Sequence, residues 1–477
     1  MAYNHGIRVH ENPTSIATPL TNTSGVPVIF GTAPVNLAAD PGNATNKLFL
    51  CNTFDEAKAA VGYSDDYENY SLCQSIDAFF KAFGVGPIVL CNVLDPAKHK
   101  EAYTETLTVS NGQAKTTEKG VILSTLVLTS DSATLAVDVD YTVEFDDEGY
   151  ALVTVLKEGI TSIEATGSKL DPTTVTVADI IGGYDATAGV ETGIELVRQV
   201  YPLFNVVPGL LLAPGWSKEV SVALTLAAKC EDINGVFQCE CVVDIDTEAV
   251  TKYTDVEKYK SDNGLNSKHM ICLWPKVVYG GKTFDYSAIY AAMVAYTDAN
   301  NDNVPNLSPS NKMIGVSAAV LADGTEVALD TVQANVLNAV GVVTALNLGG
   351  FKAWGNNTAC YPENTDPKDR WICCRRFFSW WGNSFITTYL EKVDNPANYR
   401  LIESIVDSEN VRGNALVSQG KCAGIRMEYN VSDNPVANVM DGKIRFKQYL
   451  APYTPAEDIE NVLEYDVSMI EAALGGE

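Results

Sequence analysis

NVVPGLLLAPGWS, residues 205–217, is the run that sets the architecture. Residues 210–213 are apolar without interruption, as in a buried strand, and Pro214–Gly215 stops them. Ser217 stands where an N-cap is wanted, and a helix should follow with Leu224, Ala227 and Ala228 on its inner face. Buried strand, tight turn and helix form the repeating unit of an α/β sheet. On the C-terminal side, residues 237–244 and 270–278 read as further strands, and 286–296 as a helix. On the N-terminal side, 193–200 is helical. Residues 21–97 hold a short strand (26–30), helical spacing at 54–61 and 72–83, and a buried strand (87–93) after the Gly84–Gly86 turn. The α/β core is therefore expected over residues 21–98 and 186–355.

The character changes between residues 99 and 185. Thr and Val become frequent, and strand-like pieces at 107–109, 121–128, 141–145, 151–156 and 175–177 are separated by turns such as Asn111–Gly112. This predicts an all-β module inserted in the core, with Asp179 to Gly183 returning the chain. Residues 356–458 form a last unit. Phe378, Trp381, Phe385 and Tyr389 recur at helical spacing, a second helix covers 399–416, and strands at 425–431 and 444–450 form a hairpin. Thr454 and Glu457 have the capping-box spacing, with Pro455 at the first helical position, so a short helix is expected there. Both ends alternate with a period of two. Ile7 and Val9 alternate with Arg8 and His10 in an arm of residues 1–20. Leu463, Tyr465, Val467 and Met469 alternate with Glu464, Asp466 and Ser468 in an arm of residues 459–477. The expected fold class is α/β (α+β) and multi-domain: a mixed-sheet core, an inserted all-β module, a C-terminal helix-plus-hairpin domain and extended terminal arms.

The 477 residues include 60 acidic and 33 basic side chains, a net charge of -27 that repels nucleic acid and anionic membrane surfaces. Residues 1–12 lack a signal-peptide pattern, and no apolar run is long enough to span a bilayer. The eleven cysteines show no Cys-x-x-Cys spacing and read as buried thiols. The four histidines have no ligand spacing, and neither a nucleophile elbow nor a phosphate-binding loop is present. Asp298, Asn300 and Asp302 have the first spacings of a calcium loop, but Asn303 and Pro309 stand where that loop needs glycine and glutamate. Arg375–Arg376 is expected on a helix that bears an inter-subunit ion pair. No catalytic residue, metal or cofactor is assigned.

Six runs together resemble the contractile tail sheath family of bacteriophages and phage-derived bacteriocins. They are SGVPVIFGTAPV (24–35), NVVPGLLLAPGWS, PSNK (309–312), FKAWGNNTA (351–359), WICCRR (371–376) and APYTPAEDI (451–459), in that order over nearly the whole chain. The resemblance implies a structural subunit of six-fold rings, polymerised helically around an inner tube, that contracts to drive the tube through a cell envelope. Its partners would be further copies of itself and the tail tube, baseplate and tail terminator proteins, with no nucleic acid and no direct membrane insertion. Its place would be a virion tail or tail-like particle, assembled in the bacterial host cytoplasm. Both arms would enter neighbours' C-terminal domains, Ile7 and Val9 from one end and Leu463, Tyr465, Val467 and Met469 from the other. There they would meet an acceptor hairpin carrying Ile425, Met427, Tyr429, Ile444 and Phe446. The C-terminal domain would face the tube, with Arg400, Arg412, Lys421 and Arg426 as positive charges toward it, and the insert would face outward. The rival readings are an α/β, hydrolase-like enzyme with an inserted β module and a non-contractile, capsid-like assembly protein.

Overall fold

The apolar runs of the core lack polar alternation because they become one sheet covered on both faces. The computed structural model describes residues 20–21, 23–187 and 189–475. Its core strands are β1 (Val26–Gly31), β2 (Leu48–Cys51), β3 (Ile88–Asn92), β4 (Pro208–Leu212), β5 (Glu240–Asp244), β6 (Met270–Leu273), β7 (Lys312–Met313), β8 (Val342–Asn347) and β9 (Phe351–Trp354). They lie in the order β7-β9-β8-β6-β5-β4-β1-β3-β2. The six strands from β8 to β3 are parallel, and the outer pairings are antiparallel. The covering helices are α1 (Phe54–Val61), α2 (Leu72–Asp77), α3 (Val220–Glu231) and α4 (Tyr286–Ala299). Alternate residues feed two cores. Val28, Phe30, Leu211, Cys241 and Val243 pack with α3, whereas Ile29, Leu210, Leu212, Val242 and Ile271 pack with α1, α2 and α4. The α/β class and its mixed sheet are thus as the sequence suggests.

Residues 100–170 build two small sheets around an apolar cluster of their own, including Tyr103, Leu107, Leu128, Val153 and Ile163. The first and last strands, Lys100–Thr108 and Ser162–Leu170, pair antiparallel from Lys100↔Leu170 to Thr108↔Ser162. Just below this stem, the Asp171 N–H donates to the His99 carbonyl at 3.0 Å.

The C-terminal unit contains α5 (Ile372–Tyr389), α6 (Tyr399–Ser418), β10 (Cys422–Glu428), β11 (Lys447–Pro452) and α7 (Val467–Gly475). Phe377 and Trp381 of α5 meet Leu416, Cys422 and Ile425, and Val304 of the core completes the cluster. Trp380, Val417 and Leu450 pack half-buried against it, and Phe378, Phe385 and Tyr389 are also half-buried on α5. Gly413 lets α6 lie close on β10, since a Cβ there would stand 2.7 Å from the Ile425 Cβ.

Several local expectations are corrected. Ser217 does not cap α3. Glu219 holds that position, and the Ser217 hydroxyl turns inward to Asp244 at 3.0 Å. The inner face of α3 is Val222, Ala223, Leu226, Ala227 and Cys230, and Leu224 and Ala228 are exposed. The strand expected at 270–278 ends at Leu273, because Pro275 brings no N–H to a ladder. Lys276–Tyr279 then joins a separate three-stranded sheet. Residues 175–177 are not a strand. Thr176 and Asp179 form a capping box that starts a helix at Val177. No helix begins at Thr454, because Glu457 is drawn to Asn356 and Arg370 instead of back to the backbone. The hairpin strands are displaced to Cys422–Glu428 and Lys447–Pro452, leaving Tyr429, Ile444 and Phe446 outside them. The Asn434 side chain takes both backbone groups of Arg445, at 2.7 and 2.8 Å, in place of a strand partner.

Candidate assembly surfaces

An open α/β sheet places ligands beyond the carboxyl ends of its strands, where the strand order reverses. Here that point lies between β1 and β4, and the chain's own residues fill it. The Leu72 N–H donates to the Thr32 carbonyl at 2.9 Å, and the Ser71 N–H to the Thr32 hydroxyl at 3.1 Å. A Cβ on Gly31 would lie 2.4 Å from the Ser71 Oγ. Beside it, buried Asp244 accepts from the Ser217 hydroxyl, the Ser287 N–H (2.8 Å) and the Ser287 hydroxyl (2.5 Å). The serines satisfy a carboxylate, with no base against them, so this is packing. His269 is engaged elsewhere, its Nδ1 2.9 Å from the Cys239 carbonyl, and His99 accepts the Asp95 N–H at 2.9 Å.

Burial, with the neighbouring Asp285 charge second, pushes the Asp244 carboxyl up to about 6. The folded chain therefore holds this proton more tightly than the unfolded chain. The resulting stability is complete below the unfolded value near ~4 and is lost as pH rises through about 6. Asp244→Asn removes this dependence. Between pH 4 and 7, the stability of the natural chain relative to that variant should fall by roughly 2–3 kcal/mol in urea titrations. A difference that is flat across that range would show that Asp244 ionises normally.

The C-terminal unit is fixed to the core through buried charge. Arg376 and Arg375, on successive positions of α5, reach different acids. Arg376 clamps both oxygens of Asp298 at the end of α4 (Nη1–Oδ1 3.3 Å), and the Ser24 hydroxyl donates to the same carboxylate at 2.9 Å. Arg375 pairs with Asp369 at 3.0 Å and lies 3.9 Å from Glu240 of β5. Both pairings lie within the chain, so the expected inter-subunit role for these arginines is corrected. They are on the buried side of α5, with acids of the same chain in reach. The calcium-like spacing has a structural use: Asp298 takes Arg376, Asn300 donates to the Tyr296 carbonyl at 2.8 Å, and Asp302 takes Lys421 at 2.8 Å. Neither Asp298 nor Asp369 was expected from the sequence as a partner for α5. The available signal was two arginines inside an apolar helix, which must find two acids.

The four candidate tube-facing cations divide. Lys421 is buried, donating to Asp302 and to the Asn301 carbonyl at 2.8 Å. Arg412 stacks 3.9 Å from the Trp381 ring centroid and pairs with buried Glu409 at 3.2 Å. These two are corrected to ties within the chain, each held by an acid beside it. Arg400 is exposed on the first turn of α6, and Arg426 is exposed over Tyr449.

The sheet of β10 and β11 has two strands, with no third among the described residues. Ile425 and Met427 are buried on its inner face, whereas Ile444 and Phe446 are half-buried beside it. Beyond it the chain leaves the body. Ile459, Val462, Leu463, Tyr465, Val467, Met469 and Leu474 are all exposed, Leu463 at 86%. Leu463 and Tyr465 are irregular, and Val467 and Met469 lie on α7, so in the single chain the expected strand is replaced by a helix. Asp466 starts that helix by accepting the Ser468 N–H at 2.8 Å. Ile7 and Val9 lie outside the described residues.

No family model matches the chain. It is similar to the tail sheath protein of Burkholderia phage BcepMu, 25% identical over 469 residues that cover 94% of each protein. It is also similar to the tail sheath protein of Escherichia phage P2, 25% identical over 60% of this chain and 69% of that protein. In fold it is similar to a chain of the anti-feeding prophage baseplate, at a TM-score of 0.59 and 14% identity, covering 98% of this chain and all of that one. The sheath complex of an extracellular contractile injection system, in its contracted state, gives a TM-score of 0.59 at 15% identity over 98% of this chain. The sequence likeness to tail sheath proteins and the fold likeness to chains of contractile systems run over nearly the same length of this chain.

Proposed function

We propose that this sheath subunit polymerises as stacked hexameric rings around an inner tube and contracts to drive that tube through a target cell envelope. The observation that carries the proposal is the exposed apolar C-terminal arm beside an open two-stranded sheet. A contiguous apolar segment this exposed marks a binding surface, and two strands alone are marginal in water. Added strands satisfy the free N–H and C=O groups of such a sheet. The arms around Ile7 and Val9 and around Leu463–Met469 are the donors, and the acceptor is the sheet with Ile425, Met427, Tyr429, Ile444 and Phe446 about it. Leaving α7 for the strand form exchanges a short exposed helix for paired edges and buried side chains. Arg400 and Arg426 face the tube, and the β module faces outward. The partners are further copies of this chain and the tube, baseplate and tail terminator proteins, with assembly in the bacterial host cytoplasm. Negative-stain microscopy of the purified protein should show tubes or stacked rings. Uniform discrete particles at every concentration would refute polymerisation.

A further inference from the structure

The acceptor sheet and the arm carry opposite charge in matching patterns. Residues 448–477 hold seven acidic side chains and no Lys or Arg. Residues 421–447 hold five basic and three acidic ones. Lys443, Arg445 and Lys447 are exposed at alternate positions, with Ile444, Phe446 and Gln448 half-buried between them. Arg426 extends the basic face across the sheet, over Tyr449 at 4.8 Å from its ring centroid, with Lys447 at 5.4 Å from the same ring. Arg426 also pairs with Glu428 at 2.8 Å. On the arm, Glu464 and Asp466 alternate with Leu463, Tyr465 and Val467.

In an added strand, alternate side chains lie on opposite faces, and those on one face meet the same-face side chains of the neighbouring strand. Placing the arm's apolar residues on the inner side puts Glu464 and Asp466 on the outer side, where the basic residues lie. We infer that the arm of a second copy docks as an acid–base strand pair, with Glu464 and Asp466 against the basic rim of Arg445 and Lys447. The inference rests on the arm-donation reading given above and adds what selects the donor. Cations at an open edge repel another such edge and discourage indiscriminate pairing. An acidic strand reverses that repulsion. The contact also competes with the cap of α7, since the Asp466 carboxylate that starts the helix is one of those the rim would attract. Exposed charges are screened within about 8 Å at physiological salt, so the linkage weakens as salt rises.

The test is a charge exchange in the full chain, read by sedimentation across protein and salt concentrations, with thermal melting to confirm folding. The four chains are the natural one, a rim reversal (Arg445→Glu with Lys447→Glu), an arm reversal (Glu464→Lys with Asp466→Lys) and the two reversals combined. A fifth chain lacks residues 459–477. All four substituted side chains are exposed, so each variant should melt like the natural chain. Each single reversal should raise the concentration needed for assembly by about tenfold or more, and the combined chain should return to within about threefold of the natural one. A combined chain no better than the single reversals overturns the charge pairing, as do single reversals that assemble normally. If the truncated chain still assembles, the arm-donation reading itself fails, and the charge pairing fails with it. Loss on truncation without exchange rescue removes only the pairing.

Discussion

Arg376→Ala should destabilise the folded chain by about 3–5 kcal/mol in urea unfolding. Arg376 and Asp298 are 6% and 1% exposed, so neither charge is dissolved in water when the pair is broken. The variant leaves the Asp298 carboxylate buried, still accepting from Ser24 but without its guanidinium. Removing one partner of a buried pair costs far more than the pair itself contributes, because the desolvation of the remaining charge is uncompensated. Arg376→Met together with Asp298→Leu should therefore recover a large part of the loss, since an apolar pair takes up the same space. A loss below about 1 kcal/mol for the single variant would mean that the pair is solvated in solution.

Removal of residues 459–477 should leave a folded, soluble monomer that no longer polymerises. The apolar side chains lost are exposed in the single chain, including Ile459 (83%), Leu463 (86%) and Leu474 (83%), so the monomer gives up little by losing them. Covered by a neighbour, each aliphatic side chain is worth roughly 1.5–3 kcal/mol. A subunit linked at both arms multiplies these terms, so loss of one arm should be felt throughout the polymer. Deleting residues 1–12, or Ile7→Asp with Val9→Asp, should act in the same direction. Sedimentation beside the natural chain decides the matter. Tubes of normal length and salt resistance from either truncated chain would rule out the arms as links.

The core is legible in the sequence because burial on both faces writes itself as unbroken apolar runs. Residues 210–213 read as a strand whichever face is considered, and helix α1 lies where its spacing puts it, at Phe54–Val61. Less legible are polar side chains whose partners lie far along the chain. Ser217 has the local chemistry of a cap, but a carboxylate 27 residues away claims it. Glu457 has the spacing of a capping box, but Arg370, 87 residues away, claims it. Arg412 and Lys421 look like surface cations until Trp381 and Asp302 are found beside them. The C-terminal arm is ambiguous for another reason. Leu463–Met469 alternates like a strand, but Ser468 can be held by Asp466, and alone the chain takes the local helix from Val467. Alternation shows which face is apolar. Only a partner can supply the ladder that makes it a strand.

The paired stem of the inserted module makes it an exchangeable cassette. Lys100 and Leu170 are paired neighbours, so the stem offers the core a closed base, to which Asn36 against Val121 and Leu37 against Gly149 add contacts. A different domain with adjacent termini, or a short turn joining residues 99 and 171, meets the same geometric condition. Lengthening such a loop costs little, about 0.6 kcal/mol per doubling. A replacement at this position leaves the sheet pairings beneath it in place but has to cover Asn36 and Leu37 again, and an engineer can use the same two residues as a graft point.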